Sequence, residues 1–333
     1  MRLVGALDAA AHQLSRLERH DEAHAAVSEE LDLVAGLGPT KGPPRLLARA
    51  PGSCATVMAS FGEVLASLET SRSSMVMWAA VTTTEPEGVV ELAEALGGHA
   101  HRLRQLPAAD AAPHVADLLG LCQLLGPDAP ADSRMELGIT LSAIAQKLSK
   151  AALTGAALTG ATPDQQDSEL AAAALALHLA AVALYRPSPD AVSADSAREL
   201  SRMLYSKAWA LSEAGRHDEA HRAAEEAVAV LRIPGAAPGS DWSLRSDVAW
   251  ALRSQAELLR DAGQPGRAVA PATEAAEILQ QICDELEEES GLPPRSRCTT
   301  KTSSTCCGCW PAAWPMTASW RPRWPRPSAP SCW

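Results

Sequence analysis

Two histidines four residues apart among carboxylates are a common start for a helical zinc site. The chain offers this arrangement twice, as HDEAH at His20–His24 and again at His217–His221. The helical zinc motif needs Glu directly after its first His, and Asp21 and Asp218 stand there instead. Both copies begin where a turn gives way to a helix, so the first His is expected in the turn and the two rings off a common face. The acidic residues are then expected to steady the helix N-terminus through its free N–H groups and dipole. Cys298, Cys306, Cys307 and Cys309 form a second cluster of potential zinc thiolates. They lack the paired CxxC knuckles of structural zinc sites, and no His lies near them. Gly36–Gly42, GLGPTKG, contains Lys41 without the Gly-Lys-Ser/Thr order that cradles phosphate, and reads as a turn. No GxSxG elbow and no dinucleotide fingerprint after a strand is present. Glu225–Glu226 and Glu287–Glu289 read as solvated helix faces. The residues therefore predict no catalytic site, no metal and no cofactor.

The elements that carry these residues are helical in composition. Hydrophobic residues make up 47% of 333, chiefly Ala, Leu and Val, with only 4% aromatic. Large β-sheet cores draw more on aromatic and β-branched residues. Net charge is −11. The last 39 residues hold six Lys or Arg and no Asp or Glu, which leaves 23 basic against 40 acidic side chains in the remainder. So acidic a body argues against nucleic acid as the main partner. MRLVGALDAAAHQL at the start has no basic region followed by a long apolar core, so no secretory signal is expected. Leu170–Leu184 is the most apolar run and is read as too short to span a membrane. Cys54, Cys122 and Cys283 are single and far apart, as expected of reduced thiols in a cytoplasmic protein.

The clearest pattern runs from Ser201 to Leu231. Leu204, Ala208 and Leu211 recur at helical spacing, Gly215 breaks the run, and Ala220, Ala224 and Ala227 follow at the same spacing. The reading is two antiparallel helices about a glycine turn, with small side chains letting them lie close. Residues 1–35 repeat it, with RHDEAH at Arg19–His24 matching Arg216–His221 and Leu7, Ala11, Leu14 and Ala23 in register. That copy departs at Glu18, where the pattern has Gly, and at Glu30, where it has Ala. In 249–281, Leu252, Ala256, Leu259, Gly263, Ala268, Ala272 and Ala275 match one for one at an offset of 48. In 133–186, Leu141, Ala145 and Leu148 mimic a first helix, and Ala174, Ala181, Leu184 and Tyr185 a second. Ser193 or Asp195 is placed to cap the helix that follows. Between these, 36–56 is Gly/Pro-rich and expected as loop. Residues 57–125 are expected to be helical and to hold degraded repeats, with helices near 57–69, 75–82, 88–105 and 110–124.

These matched positions resemble the tetratricopeptide repeat family, whose 34-residue unit is a helix–turn–helix. The longer offset of 48 is similar to arrays in large actinobacterial regulators and signalling ATPases. The resemblance implies an all-α solenoid of antiparallel helix pairs, a superhelix with 133–290 as its best-preserved stretch. Such a chain is expected to be a non-enzymatic scaffold in the cytoplasm that binds a protein or peptide, with neither nucleic acid nor membrane as partner. The alternative is the regulatory or sensor arm of a larger signalling ATPase or transcription regulator. In the family the first helix of each unit lines the concave face. Carried onto this chain, that face presents Arg202, Tyr205, Trp209, Trp250, Arg253, Glu257 and Arg260. Aromatic and Arg side chains are the usual energetic anchors of an interface, and Arg forks grip carboxylates. The chaperone-tail clamp of the family uses Asn and Lys; this chain has no Asn, and only Lys207 lies near these positions, so that partner is not expected.

The tail, 295–333, changes character. It holds five of the eight Cys and five of the nine Trp among many Pro, Arg and Ser, and no helical period survives. Out-of-frame translation of a GC-rich gene gives such a composition, and the tail is expected to be disordered.

Overall fold

A computed structural model describes residues 2–37, 43–126, 129–159, 165–186, 193–232 and 242–290. The expectations for the tail and its cysteines, and for Lys41, lie outside the described residues. The chain divides into two units, 1–285 and 286–333, and the packing below belongs to the first.

The described residues are helical, with no strand among them. Thirteen α-helices follow one another: α1 Arg2–Arg16, α2 His20–Leu37, α3 Pro44–Ser60, α4 Val64–Thr84, α5 Val89–Gln105, α6 Ala108–Ala111, α7 Val115–Cys122, α8 Ala131–Thr159, α9 Gln165–Tyr185, α10 Ala194–Glu213, α11 His217–Leu231, α12 Trp242–Asp261 and α13 Pro265–Ser290. Through α11 consecutive helices pack as pairs, and each pair packs on the next; α12 and α13 meet through Val248, Leu252, Ala275 and Ile278 and through Arg245 to Glu285. The first helices touch along the whole stack, α1 on α3, α3 on α5, α5 on α8, α8 on α10 and α10 on α12. The short α6 and α7 together stand where the third pair's second helix belongs. Among the described residues the result is an α-solenoid of six antiparallel pairs. One hairpin leaves an apolar face bare, and its neighbour covers it.

One turn geometry recurs in pairs one, two, five and six. The second residue after the first helix enters the left-handed region: Glu18 at φ 59°, Gly62 at 82°, Gly215 at 74° and Gly263 at 71°. The next N–H then reaches back to the helix: Arg19 to Leu14 O at 3.0 Å, Glu63 to Met58 O at 3.2 Å, Arg216 to Leu211 O and Gln264 to Leu259 O at 2.8 Å. This is the Schellman closure, which satisfies carbonyls a helix end otherwise leaves unpaired. At α10 the N-terminus is closed by Ser193, whose hydroxyl accepts from Ser196 N while Ser196 Oγ answers to Ser193 N.

Leu204, Ala208, Leu211, Ala220, Ala224 and Ala227 are all buried, as are Leu141, Ala145, Leu148, Ala174, Ala181, Leu184 and Tyr185. Gly138 makes the α8–α9 contact close: a Cβ there would lie 3.0 Å from Ala181 O. In the second helix of the sixth pair only Ala275 of the matched Ala268, Ala272 and Ala275 is buried, and Ala272 is exposed. Its counterpart Ala224 is covered by Leu258 of the following pair, and no described helix follows α13.

Two local expectations are corrected. Residues 36–56 are not a loop throughout, because α3 starts at Pro44, where proline suits a first turn, and continues through Pro51. The helices expected at 57–69 and 75–82 are the end of α3, a turn at Gly62, and the single helix α4. The second pair was obscured because α4 buries Ser67, Ser71 and Ser74 where other pairs bury Ala. Ser67 Oγ donates to Ala55 O and Ser74 Oγ to Ala48 O, at 2.6 and 2.7 Å, so the hydroxyls cross between the helices without orphaned groups.

α9 is 21 residues long and apolar enough to cross a membrane, so length does not set it apart from a span. Leu170, Ala174, Leu177, Ala181 and Val182 are nonetheless buried, and the helix packs on α8 and α10.

Candidate functional site

The first helices of pairs five and six bring the aromatic candidates together. Arg202, Tyr205 and Trp209 fall three and four residues apart on α10, hence on one face; Trp250, Arg253, Glu257 and Arg260 do the same on α12. Tyr205 joins the two helices. Its ring meets Trp250 edge-on with centroids 4.6 Å apart at 66°, and meets Trp209 at 6.1 Å and 83°. Both arrangements are ones the ring quadrupoles favour. Burial pushes the Tyr205 hydroxyl up from its ordinary pKa, with hydrogen bonds to Ser254 and Trp209 working the other way. Tyr205 and Trp209 are half-buried, whereas Trp250 keeps 47% of its surface exposed. An exposed indole resting on a fixed tyrosine is a preorganised apolar contact.

Beside the aromatics, Arg253 Nε donates to Glu257 Oε1 at 3.0 Å. Arg202 turns to Glu199 at 3.3 Å and Arg260 to Asp261 at 3.0 Å, both exposed pairs. The structure thus gathers Tyr205, Trp209, Trp250, Arg253 and Glu257, and sets Arg202 and Arg260 at the margins. Sequence reasoning missed Ser254, a buried polar residue that anchors the tyrosine. A serine on the apolar side of α12 was its only signal.

The histidine motifs have another explanation. His20 and His217 are the first residues of α2 and α11, not turn residues, because Arg19 and Arg216 occupy the cap positions. Each Arg grips the Glu three residues on through two N–H donors: Arg19 to Glu22, and Arg216 to Glu219 at 2.8 Å twice. The Arg216 fork holds Glu219 below its ordinary pKa. The rings are engaged separately, His20 edge-on to Phe61 at 4.8 Å and His221 with Glu225 at 3.0 Å. Among the described residues no group of three or more His, Cys, Asp or Glu could hold a metal.

An open cleft of about 430 Å³ lies among Leu68, Glu69, Arg72, Ser73, Pro113, His114 and Asp117. Arg72 Nε donates to Asp117 at 2.7 Å, and Ser73 Oγ to the Glu69 carbonyl at 3.3 Å. The carboxylate and the hydroxyl are therefore both engaged away from His114, and no nucleophile–base pair forms there among the described residues.

No family model matches the chain, and no curated protein matches it. Solved structures similar to it include BtubC (BKLC) from P. vanneervenii, at 14% identity over 86% of this chain and 97% of that one, TM-score 0.31. A Podosopora anserina putative kinesin light chain of nearly identical TPR-like repeats is 15% identical over 86% and 96%, also at 0.31. The assembly chaperone of RpL4, Acl4, is 14% identical over 86% and 98%, at 0.24. The TPR-like solenoid rests on the chain's own helix pairs and turns.

Proposed function

We propose that this chain is a non-enzymatic scaffold that holds a protein or peptide against its row of first helices, with Tyr205, Trp209, Trp250, Arg253 and Glu257 as the anchoring surface. The observation that supports it most is Trp250, half exposed yet braced on Tyr205, beside the Arg253–Glu257 pair. A rigid aromatic with an arginine at its edge is what interface hot spots are made of. Arg202 and Arg260 are proposed as rim contacts, where exposed charge steers encounter more than it adds affinity.

The test is selection of peptides from a displayed library on the full chain, followed by affinity measurement on Trp250→Ala with Arg253→Ala. Loss of about tenfold or more supports the surface. Unchanged affinity removes it. The alternative we propose is the regulatory or sensor arm of a larger signalling ATPase or transcription regulator, supported by the offset of 48. An in-frame nucleotide-binding domain encoded upstream supports that reading, and an isolated gene counts against it.

A further inference from the structure

Arg102 on α5 is 7% exposed, and among the described residues no carboxylate pairs with it. An arginine does not shed its charge in a protein, so a buried guanidinium without a counter-ion is an uncompensated charge. Its seat is nevertheless well built. Nε donates to Ser67 Oγ at 2.7 Å and Nη2 to Thr56 Oγ1 at 2.9 Å. Both hydroxyls spend their own protons elsewhere, Ser67 on Ala55 O and Thr56 on Gly52 O, and so are fixed as acceptors. Gly98, one turn before Arg102, leaves room for Nη1: a Cβ there would lie 3.0 Å from that nitrogen.

The guanidinium has five N–H donors in a rigid fork. Two are used, which leaves both on Nη1 and one on Nη2. With Nε and Nη2 bound on one side, one N–H of Nη1 and one of Nη2 form the Nη1–Nη2 edge, which can meet a carboxylate with two parallel bonds, while the second Nη1 N–H points back toward the stem. Thr56, on α3, is exposed, so the seat lies near the surface between the first helices of pairs two and three. The positive field is felt locally. Burial first, and the Arg102 charge second, bring the pKa of buried His99 down to about 3.

We propose that Arg102 is the base of a carboxylate-binding site between α3 and α5, held ready by Ser67, Thr56 and Gly98. The ligand supplies the missing counter-charge through its two oxygens. The site is separate from the α10–α12 surface and does not rest on that reading.

The experiment is thermal unfolding of the full chain with glutarate, with a capped hexaglutamate peptide, and with chloride at matched ionic strength. Wild type is expected to show a saturable rise on the order of 3 °C with a carboxylate and none with chloride. Arg102→Met, which keeps the stem and removes the fork, is expected to show no carboxylate-specific rise and to melt no lower than wild type in chloride. Trp250→Ala is expected to keep the response. Where Arg102→Met does not fold, Arg102→Lys serves, with saturation at least tenfold weaker. A response to glutarate assigns the site to free small acids; a response to the peptide alone assigns it to acidic segments of a protein. No response to either in wild type, or the same response in Arg102→Met, overturns the proposal.

Discussion

Glu18 holds the backbone conformation that glycine holds at three equivalent turns, and replacing it should stabilise the protein. Its φ of 59° lies beside 82°, 74° and 71° at Gly62, Gly215 and Gly263, with the same return bond into the preceding helix. A residue with a Cβ pays roughly 1–2 kcal/mol to sit in the left-handed region. Glu18→Gly relieves that strain and gives back about 0.4–1 kcal/mol, because glycine makes the unfolded chain more flexible. The net expectation is a gain of about 0.5–1 kcal/mol, or roughly 1 °C in melting temperature for a chain of this size. The converse variant is Gly215→Ala. An added Cβ there meets nothing within 4 Å, so the expected net loss of about 0.5–1 kcal/mol, after the same unfolded-chain offset, is conformational, not steric. Urea unfolding followed by circular dichroism measures both. If Glu18→Gly destabilises, or Gly215→Ala is neutral, the shared turn is not what closes these hairpins.

Three further outcomes follow from buried groups. Burial first, then Asp8, raises the Glu30 pKa from 4.5 to about 7, against opposing contributions from its Cys54 hydrogen bond, His12 and Arg49. The folded chain thus favours protonated Glu30. That stability is full below pH 4.5 and is lost as pH rises to about 7, by up to about 3 kcal/mol. Glu30→Gln should flatten urea midpoints between pH 5 and 8, and curves parallel to wild type would contradict it. His178, with its pKa brought down to about 4 by burial, acts in the opposite sense: its stability is present above pH 6.5 and lost as pH falls toward 4. His178→Leu should weaken the acid-side loss, and an unchanged acid limb would count against burial of the neutral ring. Gly138→Ala would place its Cβ 3.0 Å from Ala181 O and 3.3 Å from Tyr185 N, both backbone atoms. A loss of about 1–3 kcal/mol is expected, and a neutral result would mean α8 and α9 are farther apart.

The parts of the fold legible in the sequence were those where the packing residues are alanine and leucine and the turn residue is glycine. Pairs five and six met both conditions, as did pair one apart from Glu18 and Glu30. Pair two has its turn glycine at Gly62 but not the packing residues, because serine replaces alanine at Ser67, Ser71 and Ser74, and Pro51 lies inside α3. Serine is nearly alanine in size, and the Ser67 and Ser74 hydroxyls find carbonyls across the pair while Ser71 donates to Leu68 O in its own helix, so the helix survives where the hydrophobic period does not. RHDEAH was legible as a repeated element but not as to cause. The arginine ahead of the histidine, gripping the glutamate three residues on, is the working part. The aromatic cluster was partly legible: helical spacing put Tyr205 with Trp209, and only the stacking of two pairs put Tyr205 beside Trp250. The Arg102 seat was not legible, since its components come from α3, α4 and α5, and two of those helices were misread.

The most direct test of the binding surface is the affinity of one selected peptide for wild type and for Trp250→Ala, measured by calorimetry at fixed ionic strength. Truncating an anchor that is half exposed and braced on Tyr205 should weaken binding about tenfold or more while the melting temperature stays within a degree or two. Equal affinity for the two proteins would place the binding surface elsewhere on the stack.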